Sequence, residues 1–426
     1  MLEYLSLFVA PSSTTTAGVR IAHGRPPFFM ILYYNKVTVL SIVFLSALKA
    51  QKVYSIEFLF YNIFMRIGKV TLTDFRNYTS QTVTLKEGLN VFEGENASGK
   101  TNFAESLYCC AIGKSPRTQN DKEMIRWGAD RASASVEVIK QYRSYEVRLI
   151  IDSKGKKRLA IDNIPAYKMS EILGVLNIVY FSPDELKLIK DGPAERRRFM
   201  DISLCQQSKP YLFNLQKYNA CLAQRNKLLK SGLGINSLKQ TLFVWDTQLA
   251  KHGAYITRKR YEFAQKLKTY AKNAHLKLSC EKEELGISLE SSLEYDDIEA
   301  VAEQYRASLT ANVEKDIDLS FTSFGCHRDD LKITLNDIDV RKFGSQGQQR
   351  SAALSLKFAE IDLFWGEVGE RPVLILDDVL SELDAARSRR LLEMSADLQT
   401  IITCTHFDED VPHSSFKVNN GCILED

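Results

Sequence analysis

Eight residues, Gly94-Glu95-Asn96-Ala97-Ser98-Gly99-Lys100-Thr101, set two glycines, a lysine and a hydroxyl at fixed spacing. They follow an apolar run at 89–92 and open a helical pattern at 101–112, where Phe103, Leu107 and Cys110 recur at three- and four-residue spacing. Glycines let the backbone curl with its N–H groups pointing inward, and the helix start adds the positive end of its dipole. Strand, G-x-x-x-x-G-K-[ST] and helix in this order make a phosphate-binding loop. Lys100 is placed to reach the β- and γ-phosphates of ATP, and the Thr101 hydroxyl to hold Mg²⁺. A plain glycine turn would need neither group.

A second run, Arg371-Pro372-Val373-Leu374-Ile375-Leu376-Asp377-Asp378, reads as a buried strand ending in two acids. Many buried strands end in Asp, so the run alone says little. In a chain that already carries the glycine loop, Asp377 is expected in the Mg²⁺ shell and Asp378 beside the attacking water.

Around these motifs the pattern is strand-like at 68–72, 82–85, 88–93, 133–139, 145–152 and 158–161, with Ser153-Lys154-Gly155-Lys156-Lys157 as a hairpin tip. From 194 to 278 it turns helical. Ser231-Gly232-Leu233-Gly234 breaks it, and a second helix is expected from Leu238, giving an antiparallel helical hairpin with arms of about 35–55 Å. Strands return after Phe321. The chain therefore runs α/β, helical, then α/β again.

The formal net charge of +3 says little about partners, so clusters matter more. Lys154, Lys156, Lys157 and Arg158 could contact nucleic-acid phosphates or be ordinary solvated charge. Arg196-Arg197-Arg198 suits a structural role at the start of the helical segment. Eight cysteines form no C-x-x-C pair and no zinc-type cluster, which points to a reduced, cytoplasmic protein with free thiols. Residues 1–64 hold five of the basic residues and two of the acidic ones, and without them the chain is neutral. The apolar stretch at 28–48 is cut by Asn35-Lys36 to less than a membrane span needs, and it makes a poor signal peptide. Residues 1–64 are expected to be a non-native or disordered extension, with Met65 opening the first strand. No membrane partner is expected.

Phe343-Gly344-Ser345-Gln346-Gly347-Gln348-Gln349-Arg350 precedes another helix, expected at 351–362. That is a second anion-seeking helix start, redundant unless it completes another molecule's site. Ser381-Glu382-Leu383-Asp384 and, after an apolar strand at 399–403, Thr405-His406 complete the series. Five elements in this order resemble the ABC-type ATPases. The resemblance implies a trans signature motif at Ser345, Gln346, Gly347 and Gln348, a D-loop at Ser381 and Asp384, and catalytic roles for Asp378 and His406.

The split order, with helices between the halves, resembles the SMC-like branch. Only about 125 residues separate Asp201 from Cys326, too few for a long coiled coil, and that is similar to the RecF family. Further motifs from residue 65 to the end agree: Asp74-Phe75-Arg76-Asn77-Tyr78, Gly113-Lys114-Ser115-Pro116-Arg117-Thr118, Phe181-Ser182-Pro183-Asp184-Glu185-Leu186, Gly192-Pro193-Ala194-Glu195 and His327-Arg328-Asp329-Asp330-Leu331. Cys326 stands where the family usually has proline. The place of the Q-loop has no glutamine, and Asp184 and Glu185 are candidates to sense the γ-phosphate.

The resemblance implies an α/β fold: an ABC-type ATPase head with a P-loop core sheet, an antiparallel β subdomain, and a helical arm (lobe II) between the two halves. The corresponding divisions are 65–193, 194–320 and 321–426. ATP contacts are expected from Gly94 through Thr101 and from Arg76 and Asn77, with Mg²⁺ on Thr101 and Asp377. The implied function is ATP-dependent DNA binding in recombinational repair, replication restart and the SOS response. A homodimer would close with ATP on double-stranded, gapped or single-stranded DNA and assist RecA loading with RecR, with weak DNA-stimulated ATP hydrolysis. Two alternatives stay open: another short SMC-like ATPase acting on DNA, or a nucleotide-gated DNA-binding module with negligible turnover.

Lys100→Ala is expected to abolish tight ATP binding, because it removes the one side-chain cation the loop aims at the phosphates. Equilibrium titration with ATP checks this, and wild-type affinity in the variant would refute the assignment of the loop.

Overall fold

Val373-Leu374-Ile375-Leu376 and the run at 400–404 are unbroken by charge, as strands covered on both faces require. In the computed structural model, β14 (Val373–Asp377) and β15 (Thr400–Cys404) are buried at every position. The structure describes residues 30–34, 37–41, 65–231, 235–279, 283–293, 295 and 297–425. It divides into two units, Met1–Tyr61 and Asn62–Asp426. In the first, β1 (Met30–Tyr34) and β2 (Val37–Ser41) pair antiparallel. The rest of the expected extension lies outside the described residues. Among the described residues no helix is long and apolar enough to cross a membrane.

In the second unit, β14 and β15 sit inside a six-stranded sheet of order β10-β14-β15-β5-β16-β17. Its other members are β5 (Leu89–Glu93), β10 (Ile178–Phe181), β16 (Ser414–Asn419) and β17 (Cys422–Glu425). All pairs are parallel except β16 with β17. The register sets Asp377 against Thr403, Thr403 against Phe92, and Cys404 against Glu93. Three carboxyl ends therefore finish on one line. The glycine loop, Asp378 and Thr405-His406 all leave the sheet there, at the edge where open α/β sheets bind ligands.

A second six-stranded sheet, order β4-β3-β6-β7-β8-β9, is antiparallel throughout. It comprises β3 (Arg66–Phe75), β4 (Tyr78–Thr84), β6 (Arg131–Ile139), β7 (Ser144–Asp152), β8 (Lys157–Ile161) and β9 (Ile164–Ala166). Burial alternates along β6 and β7, so one face is apolar. That face shares a core with α1 (Lys100–Ile112): Val70, Leu72, Val136 and Leu149 cluster with Phe103 and Leu107. The two sheets are also tied by Gln399, whose amide donates to the Ile67 carbonyl at 2.8 Å and accepts from its N–H at 2.6 Å. Ile67 borders a register shift in β3, and the amide supplies the partners there.

The arm consists of α2 (Pro193–Gln207), α3 (Lys209–Leu229), α4 (Ile235–Ser279) and α5 (Ile298–Ala311). The helical hairpin expected from the sequence is present, with two corrections. Its second helix begins at Ile235 instead of Leu238, and its 45 residues span about 68 Å, beyond the expected arm length. The apolar stripe simply continues past the turn signals. Residues 232–234 of the expected break lie outside the described residues. The segment is also not wholly helical: β11 (Leu285–Glu290) pairs with β12 (Asp330–Leu335), and β12 with β13 (Ile338–Asp339), a small sheet spanning the expected boundary at 320–321.

Buried ion pairs fasten the arm at two levels, one toward the hairpin turn and one near the head. Arg225 meets Asp246 and Asp316, both at 2.6 Å. Arg260 meets Asp201 at 2.8 Å and Asp329 at 3.0 Å. Taking such groups out of water is costly, so they select one geometry more than they add stability. Arg196 grips Asp330 through two hydrogen bonds, at 2.6 and 2.8 Å, and Arg197 donates to the Asp329 carbonyl at 2.7 Å. The arginine triplet is thus structural in its first two members.

Beside these pairs runs a directed chain of hydrogen bonds. His327 Nε2 lies 3.0 Å from the Thr322 carbonyl, which can only accept, so Nε2 carries the proton. Nδ1 then accepts from the Tyr218 hydroxyl at 2.7 Å, which accepts from Tyr305 at 2.5 Å, whose oxygen takes the Cys326 N–H at 3.0 Å. Burial, with Arg328, Arg197 and Arg260 nearby, outweighs the Thr322 carbonyl and pulls the His327 pKa down to about 4. Unfolded, the ring takes a proton near pH 6.5, so stability falls as the pH drops from about 6.5 toward 4. At pH 5 the loss is about 2 kcal/mol. Urea unfolding of wild type and His327→Gln at pH 7 and pH 5 checks this. The wild type should lose more on acidification than the variant, and equal losses would contradict the account.

Candidate nucleotide site

The loop between β5 and α1 is held by contacts its sequence demands. A Cβ on Gly94 would stand 2.2 Å from the Val418 carbonyl oxygen. Gly99 has φ +125°, and a Cβ there would meet Asn77 Nδ2 at 2.7 Å. Ala97 also has a positive φ, so the N–H groups turn inward as in an anion nest. Lys100 Nζ crosses the loop to the carbonyls of Gly94 at 2.6 Å and Glu95 at 2.8 Å. The buried Ser98 Oγ has no hydrogen-bond partner among the described residues. A nest of N–H groups, a lysine across it and a buried hydroxyl lacking an acceptor fit the oxygens of a triphosphate.

Asp377, 3% exposed, ends β14 beside this loop. Three hydroxyls converge on it: Thr101 at 3.0 Å and Thr403 at 2.6 Å on Oδ1, and Tyr180 at 2.7 Å on Oδ2. Burial and Asp377 raise the Tyr180 pKa well above its ordinary value, which keeps that hydroxyl a donor. Thr101 can give its hydrogen to Asp377 and keep lone pairs for a cation, so Thr101 and Asp377 fit a Mg²⁺ shell. Asp378 follows with φ +55°, its N–H on the Thr403 carbonyl at 3.0 Å. Left-handed backbone is tolerated better by Asp than by most side chains, which accounts for Asp instead of a longer acid here. Ser381 Oγ donates to the Asp378 carbonyl at 2.9 Å. Asp384 caps α7 (Ala385–Ser395) through the Arg387 N–H at 2.9 Å, and that donor lowers its pKa.

His406 stands at the same edge, 73% exposed in its side chain. Its Nε2 lies 2.6 Å from Asp408 Oδ1 and its Nδ1 3.6 Å from Glu93 Oε1. Glu93 also accepts the Phe407 N–H at 2.6 Å and pairs with Lys417. Burial works to raise the Glu93 pKa, but these partners hold it below the ordinary carboxylate range.

Arg76 and Asn77 sit on the loop's outer side. The Arg76 guanidinium is engaged by Glu105 through two bonds of 2.8 Å and by the Glu123 carbonyl at 2.7 Å. Asn77 Nδ2 donates to the Ser98 carbonyl at 2.9 Å, and Tyr78 Oη to Gly99's at 2.9 Å. In this structure both expected ATP contacts brace the loop. The Q-loop candidates are likewise engaged: Glu185 pairs with Lys357 at 3.2 Å and Asp184 with Lys187 at 2.8 Å. Lys357 lies on α6 (Gln346–Val368), which starts five residues earlier than expected.

Ser345 caps α6, accepting the Gln348 N–H, while the Gln348 side chain accepts the Ser345 N–H at 2.8 Å. Ser345 and Gln346 are exposed. Among the described residues no hydrogen bond or ion pair joins the signature segment to the glycine loop. Lys154, Lys156 and Arg158 are exposed on the antiparallel sheet, whereas Lys157 pairs with Asp121 at 2.7 Å. The seven described cysteines are free thiols. Tyr180, Thr403 and Glu93 are site residues the sequence reading missed. Thr403, a hydroxyl inside an apolar run, carried the only local signal.

A phosphate loop, a paired-acid strand and a switch histidine on one sheet, interrupted by a helical arm, define an ABC-type ATPase head of the SMC-like kind. The sequence model described as RecF/RecN/SMC N terminal domain matches residues 66–414. The chain belongs to the RecF family. It is 39% identical over 368 residues to the DNA replication and repair protein RecF of Clostridium tetani, covering 85% of this chain and 100% of that one. With RecF of Halothermothrix orenii the identity is 45% over 370 residues, covering 84% and 98%. A solved structure of the recombination mediator protein RecF with ATP, in the RecFOR pathway, matches with TM-score 0.79 at 31% identity over 86% of this chain and 99% of that one. An Smc head bound to the C-winged helix domain of ScpA shares the fold at TM-score 0.51 and 17% identity, over 84% and 97%.

Tyr180→Phe removes one donor from Asp377 and leaves a buried lone pair unmatched, a loss of about 1–3 kcal/mol. ATP affinity with Mg²⁺ should fall about tenfold, while affinity in EDTA should hardly change. An unchanged affinity with Mg²⁺, or the same fold-loss with Mg²⁺ and in EDTA, would show that Tyr180 does not act through Asp377 on a bound metal.

Proposed function

We propose that this protein is an ATP-gated DNA-binding protein of DNA replication and repair, in which two copies close on each other through shared ATP. One observation carries the pairing. Gly347 lies in the first turn of α6, where alanine is the better helix former. A Cβ there would meet only Arg387 Nη1, at 3.8 Å, an ordinary contact. Nothing among the described residues requires glycine at 347, but a phosphate pressed against that helix start from another copy would. By contrast, Gly344 is required internally, since its Cβ would reach the Val340 carbonyl oxygen at 2.6 Å.

In this reading Lys100 and the loop N–H groups bind the phosphates of one copy's ATP, and Ser345 and Gly347 of the other copy complete the site. Mg²⁺ on Thr101 and Asp377 would offset charge on the phosphate oxygens. Asp378, held by Thr403 and Ser381, orients water, and His406 answers to the terminal phosphate. Turnover is weak, DNA-stimulated and resets the dimer. The DNA replication and repair role of the similar RecF proteins supports such a place for this chain, and the RecFOR pathway of the solved recombination mediator supports work with RecR toward RecA loading on gapped DNA. Lys154, Lys156 and Arg158 supply salt-sensitive phosphate contacts, and the free thiols suit the cytoplasm.

Ser345→Arg should leave ATP binding by the single chain nearly intact and block ATP-driven dimerisation. Mixed with Lys100→Ala chains, it should recover activity, since each mixed dimer holds one intact loop facing one intact serine. Gel filtration and ATPase assays of the two variants, alone and mixed, check this. No recovery although mixed dimers form, or normal ATP-driven dimers of Ser345→Arg, would refute the shared site.

A further inference from the structure

Trp127 is 96% exposed, more than any other large hydrophobic side chain among the described residues. An indole in water forgoes the burial that usually stabilises it. Nor does it sit on a loose loop. Ala129 N–H donates to the Arg126 carbonyl at 3.0 Å, and Gly128 has φ +82°, the value a type II turn needs at its third residue. Trp127 is the second residue, at the tip. The turn is anchored on one side by Arg126, whose N–H reaches the Asp74 carbonyl at 2.8 Å and whose Nε reaches Asp74 Oδ1 at 2.7 Å. On the other side Ser153 N–H donates to the Asp130 carbonyl at 2.8 Å, joining the turn to the lysine hairpin.

The surroundings are basic. Lys122, Arg131, Lys154, Lys156 and Arg158 are exposed, and none has an acidic partner within 4 Å among the described residues. The nearby acids are mostly engaged: Asp74 by Arg126, Asp121 by Lys157, and Asp152 by the N–H groups of Lys154 and Lys156. Glu123 and Asp130 remain exposed. The hairpin tip is close to this group, since a Cβ on Gly155 would meet Lys122 Cε at 3.1 Å.

We infer that Trp127 is a stacking platform for an unpaired DNA base, with the strand's phosphates running over the lysines of the adjoining hairpin. A flat aromatic face presented rigidly among cations matches what single strands offer, namely an open base face and a charged backbone. Inside a duplex both faces of each base are covered. Protein interfaces are depleted of lysine around their aromatic anchors, which is the opposite of this patch. The inference rests on the DNA-binding reading and deepens it, making unpaired bases part of what is recognised.

The full chain with ATP and Mg²⁺ is titrated, at one salt concentration, against labelled single-stranded, gapped and blunt duplex DNA of one length. Trp127→Ala should weaken binding to single-stranded and gapped DNA about tenfold and leave the duplex nearly unchanged. Trp127→Phe should retain most of the affinity. The double variant Lys154→Ala, Lys156→Ala should weaken all three DNAs and lower the salt dependence. Unchanged gapped-DNA affinity in Trp127→Ala, with the lysine variant weakened, overturns the stacking alone and leaves Trp127 to a protein partner. An equal loss on all three DNAs also overturns it. If the wild type binds none of them, the DNA-binding reading fails and takes this inference with it.

Discussion

Asp377 accepts hydroxyl hydrogens from three elements at once, and the arrangement of the head depends on that meeting. Thr101 comes from the start of α1, Thr403 from β15 and Tyr180 from β10. A carboxylate this buried would be costly without such donors. With them, it locks the phosphate-loop helix, the acid strand, the switch strand and β10 into one register. The parallel order β10-β14-β15-β5 is what lets these side chains converge. Beyond Tyr180, β10 leads into Glu185, which grips Lys357 on α6, whose first residues form the exposed signature end. One contiguous set of contacts thus runs from Asp377 to the exposed start of α6.

Charge is used differently in three places. Within the arm, Arg225, Arg260 and Arg196 are buried against acids and fix orientation. In the glycine loop, Lys100 crosses to the carbonyls of Gly94 and Glu95, and Arg76 is paired with Glu105 on the loop's outer side. On the antiparallel sheet, Lys154 and Lys156 stay in water. Only the last group is arranged as long-range, salt-screened attraction for a polyanion would require.

The elements with local chemical logic were legible in the sequence. The glycine loop, the acid strand and the switch strand each encode their geometry within about ten residues, and the structure gathers them on one edge. What escaped depends on partners distant in sequence. Tyr180 looks like any aromatic in a buried strand until β10 pairs with β14. Arg76, expected as a nucleotide contact, also pairs with Glu105 inside a helix 29 residues on, a partner that the local sequence does not announce. Glu185, a candidate phosphate sensor, has a partner in Lys357 of α6 that the local sequence does not show. The start of α6 was misplaced because Gln346-Gly347-Gln348 reads as loop, and only the reciprocal bonds of Ser345 and Gln348 make it a first turn.

The central claim is that the start of α6 is half of another copy's nucleotide site. In this first turn the Ser345 and Gln348 N–H groups are capped reciprocally, and the Gln349 N–H reaches the Ser345 carbonyl at 2.9 Å. The N–H groups of Gln346 and Gly347 have no acceptor among the described residues, so they exchange freely unless something covers them. Hydrogen exchange at residues 345–350, followed with ATP and Mg²⁺ across protein concentration, tests this directly. The account predicts protection that appears with ATP but not ADP and strengthens as concentration rises, together with protection at 94–101. Protection at 94–101 with no change at 345–350 at any concentration would contradict it.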